Sequence, residues 1–494
     1  MEKVMFLRSP LAYYPHIGHE DPHPPLELLY LAAALKPAYE VKILDGQRQW
    51  RRHGDFGHLR RLGLSDEDLI RETVEFGPDM IALSVTWHHQ IPTALYCANL
   101  LKKHLPEVTI VAGGIAPSSS PEVLLESGRI DFVIAGDGER SLLQLCRALS
   151  GEVSFGEVPG LKFLEGDRVI SVPKQNFLQL DEVPFPAFEL IDLADYDGGY
   201  QHGHHKASPM AGVLPTRGCP LDCHFCSLPA VSDKLFRTHS VERVVDDMLR
   251  MRDEFGIREI HFYDDNLINN TAFAKALFRR MIEQNVGLHW LPEAGFAMWQ
   301  IDQEILDLAT ASGMYRLDLP IEAASGKVRE EIMNKGLYQN SQVAETLRRA
   351  RRAGVEKING YVIVGSPGES LEDIKGTLDF LADLDLDYRG VRLAQPFPGT
   401  RFYQICVEQG LLRDDFSLDR LWFTMSNIET NEFSSSQLVA LVVSYRAAAM
   451  IRQGVRTIES AVKEIAEKHG AEIARTASGF IPEVAQRYEQ RRLS

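Results

Sequence analysis

The stretch Arg217-Gly218-Cys219-Pro220-Leu221-Asp222-Cys223-His224-Phe225-Cys226 gathers three of the chain's six cysteines into eight positions, just after the short apolar run Val213-Leu214-Pro215. Three residues separate the first pair of cysteines and two the second. Thiolates this close can converge on one metal centre, and three of them on a four-iron, four-sulfur cluster leave one iron open to chemistry. A structural zinc would want four ligands and a second paired motif, and His224 lies inside the loop, where strain opposes joint ligation. A redox dithiol needs only Cys223 and Cys226 and leaves Cys219 unexplained. The spacing favours the cluster.

Working outward, the next signal is repetition. After the loop, apolar strand patterns at Glu259 to Tyr263, Leu288 to Leu291, Arg316 to Ile321, Ile358 to Val364 and Gly390 to Ala394 follow a first one at Gly212 to Thr216, with helical patterns between them. Val244, Met248 and Met251 mark one apolar helix face. Six strand-helix units imply a parallel barrel or partial barrel over residues 211–410, with its chemistry at the carboxyl ends of the strands. Those ends carry Asp264 and Asp265, then Glu322, then Gly365 in Gly365-Ser366-Pro367-Gly368-Glu369, and finally Gln395-Pro396-Phe397-Pro398-Gly399-Thr400. An acidic residue there suits an ammonium group, whereas its bland reading is a helix cap or a salt bridge.

Upstream, residues 1–150 alternate short apolar strands (Val4 to Leu7, Val41 to Leu44, Met80 to Ser84, Val108 to Ala112, Phe132 to Ala135) with helices, one of them introduced by Pro24-Pro25. This is the pattern of an α/β, doubly wound, Rossmann-like parallel sheet that binds ligands at the carboxyl ends of its strands. Ser84 and Thr86, Gly113-Gly114, and Gly136-Asp137-Gly138-Glu139 fall there. Glycine permits close backbone approach to a bulky ligand, although tight turns use it equally. Prolines 159, 173, 184 and 186 make residues 151–210 a linker, ending in a histidine-rich run at Gly198 to His205 that reads as an exposed loop. Residues 411–494 read as a helical region, with segments at Ser435 to Ala466 and Pro482 to Arg491.

With 494 residues, 45% hydrophobic and 25% charged, the composition suits a globular protein of two or three domains. No apolar run approaches the roughly 18 residues of a membrane span, and the opening residues lack a signal-peptide pattern. A cytoplasmic location is expected. Cys97, Cys146 and Cys406 are scattered singly, as suits a reducing compartment. A formal charge of −16 offers no general attraction to a phosphate backbone, so a small molecule is the expected substrate and nucleic acid is not an expected partner.

The cysteine loop, down to Phe225 before its last cysteine, resembles the signature of the radical S-adenosylmethionine (SAM) enzymes. The Pro-Pro-led helix, the Gly113-Gly114 turn and the Gly136-Asp137-Gly138-Glu139 turn resemble the cobalamin-binding domain found ahead of the barrel in one large subgroup of that family. The resemblance runs over roughly residues 4–410. It implies a [4Fe-4S] cluster on Cys219, Cys223 and Cys226. It implies SAM contacts from Phe225, Asp264, Asp265, Glu322 and Gly365, with Glu322 standing in the family's Ile-Glu-Ser-Gly stretch. Cobalamin contacts are implied for Ser84, Thr86, Gly113, Gly114, Gly136, Gly138 and Glu139.

The usual Asp-x-His-x-x-Gly ligand motif for cobalt is missing. Its nearest match, Asp21-Pro22-His23-Pro24-Pro25-Leu26, lacks the glycine, which implies cobalamin bound without a protein histidine. The implied activity is methyl transfer from SAM through methylcobalamin to an unactivated carbon or phosphorus, with an electron donor such as flavodoxin or ferredoxin. Oxidative cyclisation, hydroxylation and ring contraction are the alternatives within the same architecture, and a cofactor-binding sensor is the one outside catalysis.

Overall fold

A computed structural model describes residues 1–16, 23–48, 53–174, 177–196, 205–452 and 455–490. The N-terminal half is built on a seven-stranded sheet. In spatial order its strands are Arg168–Ser171, Leu161–Glu165, Phe132–Ile134, Thr109–Gly113, Met80–Ser84, Lys3–Arg8 and Glu40–Asp45. The five strands expected from the sequence are parallel, and Lys3–Arg8 lies between Met80–Ser84 and Glu40–Asp45. Strand order therefore reverses beside Lys3–Arg8, which opens a crevice at the carboxyl ends of Lys3–Arg8 and Met80–Ser84 where such sheets take ligands. Each of these strands is short and apolar because both its faces are covered: Val4 and Phe6 pack into one core, Met5 and Leu7 into another.

Two features were not expected. The hairpin Leu161–Glu165 and Arg168–Ser171 lies within the stretch read as a linker, yet it pairs antiparallel with Phe132–Ile134 and extends the sheet. Leu11–Tyr13, His53–Phe56 and Leu59–Leu62 form a separate small antiparallel sheet. Short strands rich in charge, such as Leu59-Arg60-Arg61-Leu62, carry no periodic apolar signal, and this one is held by pairing and by Leu62, which packs with Leu11, Tyr13 and Trp422.

The barrel strands are Met210–Val213, Glu259–Phe262, His289–Pro292, Arg316–Glu322, Lys357–Val364 and Tyr388–Leu393. They form two parallel three-stranded sheets joined by a single bridge between Trp290 and Met314. Alternation sorts the side chains. Leu317, Leu319, Ile321, Ile358, Val362, Val391 and Leu393 join the main apolar core, while Arg316, Asp318, Asn359, Tyr361 and Arg392 occupy the opposite face and line a polar lumen. Gly212 and Gly390 make room for tyrosine rings there: a Cβ on either would collide with Tyr263 or Tyr361. The helices between strands begin at side-chain caps, as at Ser240, Asn270, Asp302 and Ser370.

Among the described residues, the C-terminal region holds the α-helices Ser435–Arg452, Ile458–His469 and Ala471–Gln490. The last begins eleven residues before Pro482, which sits inside it rather than at its start. Leu438 of the first packs against Gly365 at the end of the fifth barrel strand.

Candidate active site

The cysteine loop is tied down at every side. Gly218 takes φ +87°, and its N–H donates to Asp265 Oδ2 at 3.1 Å. The His224 ring donates from Nδ1 to the Ile332 carbonyl (2.8 Å), and its N–H donates to the Met333 carbonyl (3.1 Å). Asn334 Nδ2 donates to the Asp222 carbonyl (2.8 Å), and Phe402 N–H to the His224 carbonyl (3.0 Å). His224 is thus a brace for the loop. Cys223 is buried, Cys219 and Cys226 are half-buried, and all three thiols are free. Burial pushes Cys223 up to about 12 and Cys226 up to about 11, against the pull of nearby Lys335. Metal binding would have to displace those protons.

The two acidic strand ends flank this loop. Asp264 is buried, and its Oδ1 accepts from the N–H (2.6 Å) and hydroxyl of Thr216. Its Oδ2 is buried without a partner, and burial pushes the carboxyl up to about 8 despite the Thr216 bonds. A cationic group is the partner that such an oxygen lacks. Asp265 is exposed beside the loop.

Glu322 ends the fourth barrel strand at a register shift and takes φ +59°, a conformation that costs a non-glycine residue of order 1–3 kcal/mol and that structures keep at functional sites. Its carboxylate is 2.5 Å from Lys335 Nζ. Arg329 holds the turn by donating to the carbonyls of Ala323, Ala324 (3.0 Å) and Tyr338 (3.1 Å), and Tyr338 donates to Ile321 O. Lys335 lies 5.9 Å from the Phe225 ring, which itself sits 6.0 Å from Phe402. Sequence reasoning missed Lys335, Arg329 and Thr216. Asn334-Lys335-Gly336 sits in an irregular loop with no periodic or motif signal, so only the third dimension brings it to the cysteines.

Gly365 takes φ +81°, but its N–H donates to Glu369 Oε2 (2.8 Å) and a Cβ would strike Leu438. The need for glycine there is met by the protein's own packing, so no free amide is offered to a ligand.

The expected cobalamin contacts divide similarly. Ser84 donates to Glu27 (3.1 Å), and Thr86 N–H donates to Gln90 Oε1 (3.1 Å), both at the crevice beside Lys3–Arg8. At Gly114, φ +116° and a Cβ 2.5 Å from Val85 O show a turn pressed onto its neighbouring strand; at Gly138 a Cβ would lie 2.7 Å from Leu31. A Cβ on Gly113 would touch nothing closer than Ile134 O at 3.8 Å, and one on Gly136 would meet the flexible Lys174 side chain at 3.0 Å. Glu139, expected to face the corrin, is buried and paired with Arg217 at 2.7 Å; Asp137 pairs with Arg217 (3.4 Å) and Arg237 (2.6 Å). The acidic turn of the sheet therefore clamps the residue two positions before Cys219. Its charge is spent on joining the two domains.

A second junction lies at the end of the sixth barrel strand. His88 Nε2 lies 3.0 Å from Ser119 Oγ and donates to the Pro398 carbonyl (3.1 Å), and the ring stacks on Phe397 at 5.0 Å. Next to it Trp87, 40% exposed, meets Phe423 edge-on. Arg392 lies 5.7 Å from the Tyr361 ring and 5.5 Å from that of Phe423, with no carboxylate partner among the described residues. His23 is placed 5.8 Å from Tyr263, on the barrel side, and burial lowers its pKa to about 4. Of the histidine-rich run, positions 198–204 lie outside the described residues; His205 sits at the entry to the barrel.

No helix among the described residues is long and apolar enough to cross a membrane. The model of the radical SAM superfamily matches residues 213–381, and that of the B12 binding domain matches residues 19–145. The chain is similar to the cytidylyl-2-hydroxyethylphosphonate methyltransferase of Streptomyces wedmorensis, at 31% identity over 85% of each chain. It is similar to an uncharacterized methyltransferase of Pyrococcus horikoshii, at 28% identity over 93% of each. Its fold is similar to that of the radical SAM methyltransferase TsrM of Kitasatospora setae, with a TM-score of 0.67 at 20% identity over 84% of this chain and 77% of that one.

Proposed function

The chain belongs to the cobalamin-dependent radical SAM enzymes, and from that premise we propose that it transfers a methyl group from SAM to an unactivated carbon, or to phosphorus, of a small biosynthetic intermediate. The observation that carries this reading is one constellation at the rim of the barrel. The braced thiols of Cys219, Cys223 and Cys226 stand beside Asp264, with its unpaired oxygen, Asp265, and the Glu322–Lys335 pair on a strained strand end.

In this reading Cys219, Cys223 and Cys226 hold the iron–sulfur cluster, and Asp264, Asp265 and Glu322 face SAM. The crevice beside Ser84 and Thr86, walled by Trp87 and Gly113, receives the corrin. When bound, these groups supply the reductive cleavage of SAM and a cobalt centre that carries the methyl group. The protein's own part is to orient and enclose. Asp264 Oδ2 offers an acceptor to an ammonium, Lys335 offsets the charge of Glu322, and Phe397, Phe423 and Trp87 keep apolar surface, and so little water, around the reacting atoms. The substrate would enter the polar lumen, where Arg392 between two aromatic rings suits an anionic group. The six free cysteines fit a reducing cytoplasm, and a small flavodoxin- or ferredoxin-like protein is the fitting electron donor.

The test is anaerobic incubation of the reconstituted protein with SAM, cobalamin and reductant. We expect 5'-deoxyadenosine and S-adenosylhomocysteine above a Cys223→Ala control, and one added methyl group by mass spectrometry when the true substrate is present. Deoxyadenosine without S-adenosylhomocysteine would move the assignment to a non-methylating radical reaction. Neither product would leave a cofactor-binding sensor.

A further inference from the structure

At the floor of the barrel, the end opposite the cysteine loop, three side chains with metal-ligating atoms converge. His205 precedes the first barrel strand, Glu259 opens the second, and His261 points into the lumen from the same strand. Their ligand atoms all lie within 4.8 Å of one another, and Glu259 and His261 are 0% and 2% exposed. We propose that His205, Glu259 and His261 form a divalent-metal site, with zinc the best-matched cation.

The distances suit it. His205 Nδ1 and His261 Nε2 are 3.3 Å apart, and His261 Nε2 is 2.9 Å from Glu259 Oε1. Zinc–nitrogen and zinc–oxygen bonds of about 2.0–2.2 Å place tetrahedral neighbours about 3.3–3.5 Å apart. The histidine pair already spans one such edge, and the glutamate needs to open by only about 0.4 Å to complete another.

The remaining atoms of His261 and Glu259 are fixed by other groups, as outer partners do at metal sites. His261 Nδ1 faces Glu293 Oε1 at 2.6 Å, the carboxylate–histidine arrangement that directs the other ring nitrogen at a metal. Glu259 Oε2 accepts the N–H groups of Lys206 and Ala207, both at 2.6 Å, which aims Oε1 at the centre; Tyr315 also donates to Oε1 at 2.7 Å. Without a cation, the single proton on His261 Nε2 is shared between Glu259 and His205. A cation meets all three lone pairs at once. Two imidazoles and one carboxylate are the donor set that a borderline cation prefers, with water in the fourth position. The cation would clip the chain's entry into the barrel to the second strand, well away from the cysteines.

The competing arrangement is a protonated His261 held between Glu259 and Glu293. The experiment that separates the two is zinc titration of the cluster-loaded protein against a chromophoric chelator, for the wild type and for His205→Ala, with iron measured in parallel. We expect about one zinc per chain in the wild type, bound at least about tenfold more weakly in His205→Ala, with equal iron in both. Zinc X-ray absorption on the wild type should show only nitrogen and oxygen neighbours near 2.0–2.1 Å. Equal zinc binding by both proteins, no zinc beyond the iron, or a sulfur shell near 2.3 Å would overturn the site. Because the comparison is between two proteins with the same cysteines, its outcome does not depend on whether methyl transfer is the right reading of the other end of the barrel.

Discussion

The barrel and the N-terminal sheet both present turns at the carboxyl ends of their strands, and the two sets behave differently. On the barrel, Gly218, Asp264 and Glu322 are held by other groups at the same rim: Asp265 takes the Gly218 amide, Thr216 fixes one oxygen of Asp264, and Lys335 pairs with Glu322. On the sheet, Gly114 and Gly138 are glycine because their own scaffold presses on them, and Glu139 is spent on Arg217. A strand-end motif thus has two physical meanings. It can shape a site, or it can fasten the domain that shapes it.

The largest effect should come from the barrel rim. Cys223→Ala should remove iron from the protein and lower deoxyadenosine formation by about a thousandfold or more, since the cofactor carries the hard step. Iron analysis and product assay of the same sample check it. Loss of activity with full iron content would mean that the loop is not the cluster's holder. Next comes the clamp between the regions. Arg217→Ala leaves the buried Glu139 without its cation and the half-buried Asp137 with Arg237 alone. Breaking such a pair costs about 3–5 kcal/mol, and denaturant unfolding would read it. A loss under 1 kcal/mol would show that water reaches the turn and that the two domains are joined elsewhere.

Lys335→Met tests the rim from its far side. It leaves Glu322, 5% exposed, without its cation. SAM cleavage should fall by about 10- to 100-fold, the range seen when outer partners of a metal site are removed. Iron content should hold. On the sheet, Gly114→Ala should cost about 1–3 kcal/mol from the strained φ and the Val85 contact, whereas Gly113→Ala should stay within about 0.5 kcal/mol and show its effect, if any, on cobalamin affinity. If both are neutral for stability, the reading of Gly114 as a packing glycine fails.

How far the sequence could be read follows the same division. Five of the six barrel strands were legible within a residue or two, because each buries one face against helices and so carries a period, whereas the first, expected at Gly212 to Thr216, lies at Met210–Val213. The cysteine loop was legible because covalent spacing constrains it. The hairpin at 161–171 was not, since its half-exposed residues lack a period and the nearby prolines argued for a linker. Nor was Lys335, whose relation to Glu322 is set by the turn that Arg329 holds. Glu139 was visible as a motif but its pairing with Arg217 was not, because a sequence cannot say which buried group neutralises a charge.

The smallest effect concerns Glu369, which holds the turn after the fifth barrel strand by accepting the N–H groups of Gly365 (2.8 Å) and Ser366 (2.9 Å). It is fully buried, and burial pushes its carboxyl up to about 8 although both amides favour the charged form. Between the unfolded value near 4.3 and about 8, the folded protein keeps a proton there that the unfolded chain has lost. Stability must therefore fall as pH rises through that window and level off above it, by at most about 1.4 kcal/mol per pH unit for one such group. Glu369→Gln retains an acceptor for both amides and cannot ionise, so its unfolding free energy should change less between pH 6 and 8 than that of the wild type. Asp264, shifted in the same direction, is present in both proteins and cancels in the difference. Parallel curves would mean that Glu369 is already ionised in the fold, and that the amides of Gly365 and Ser366 outweigh its burial.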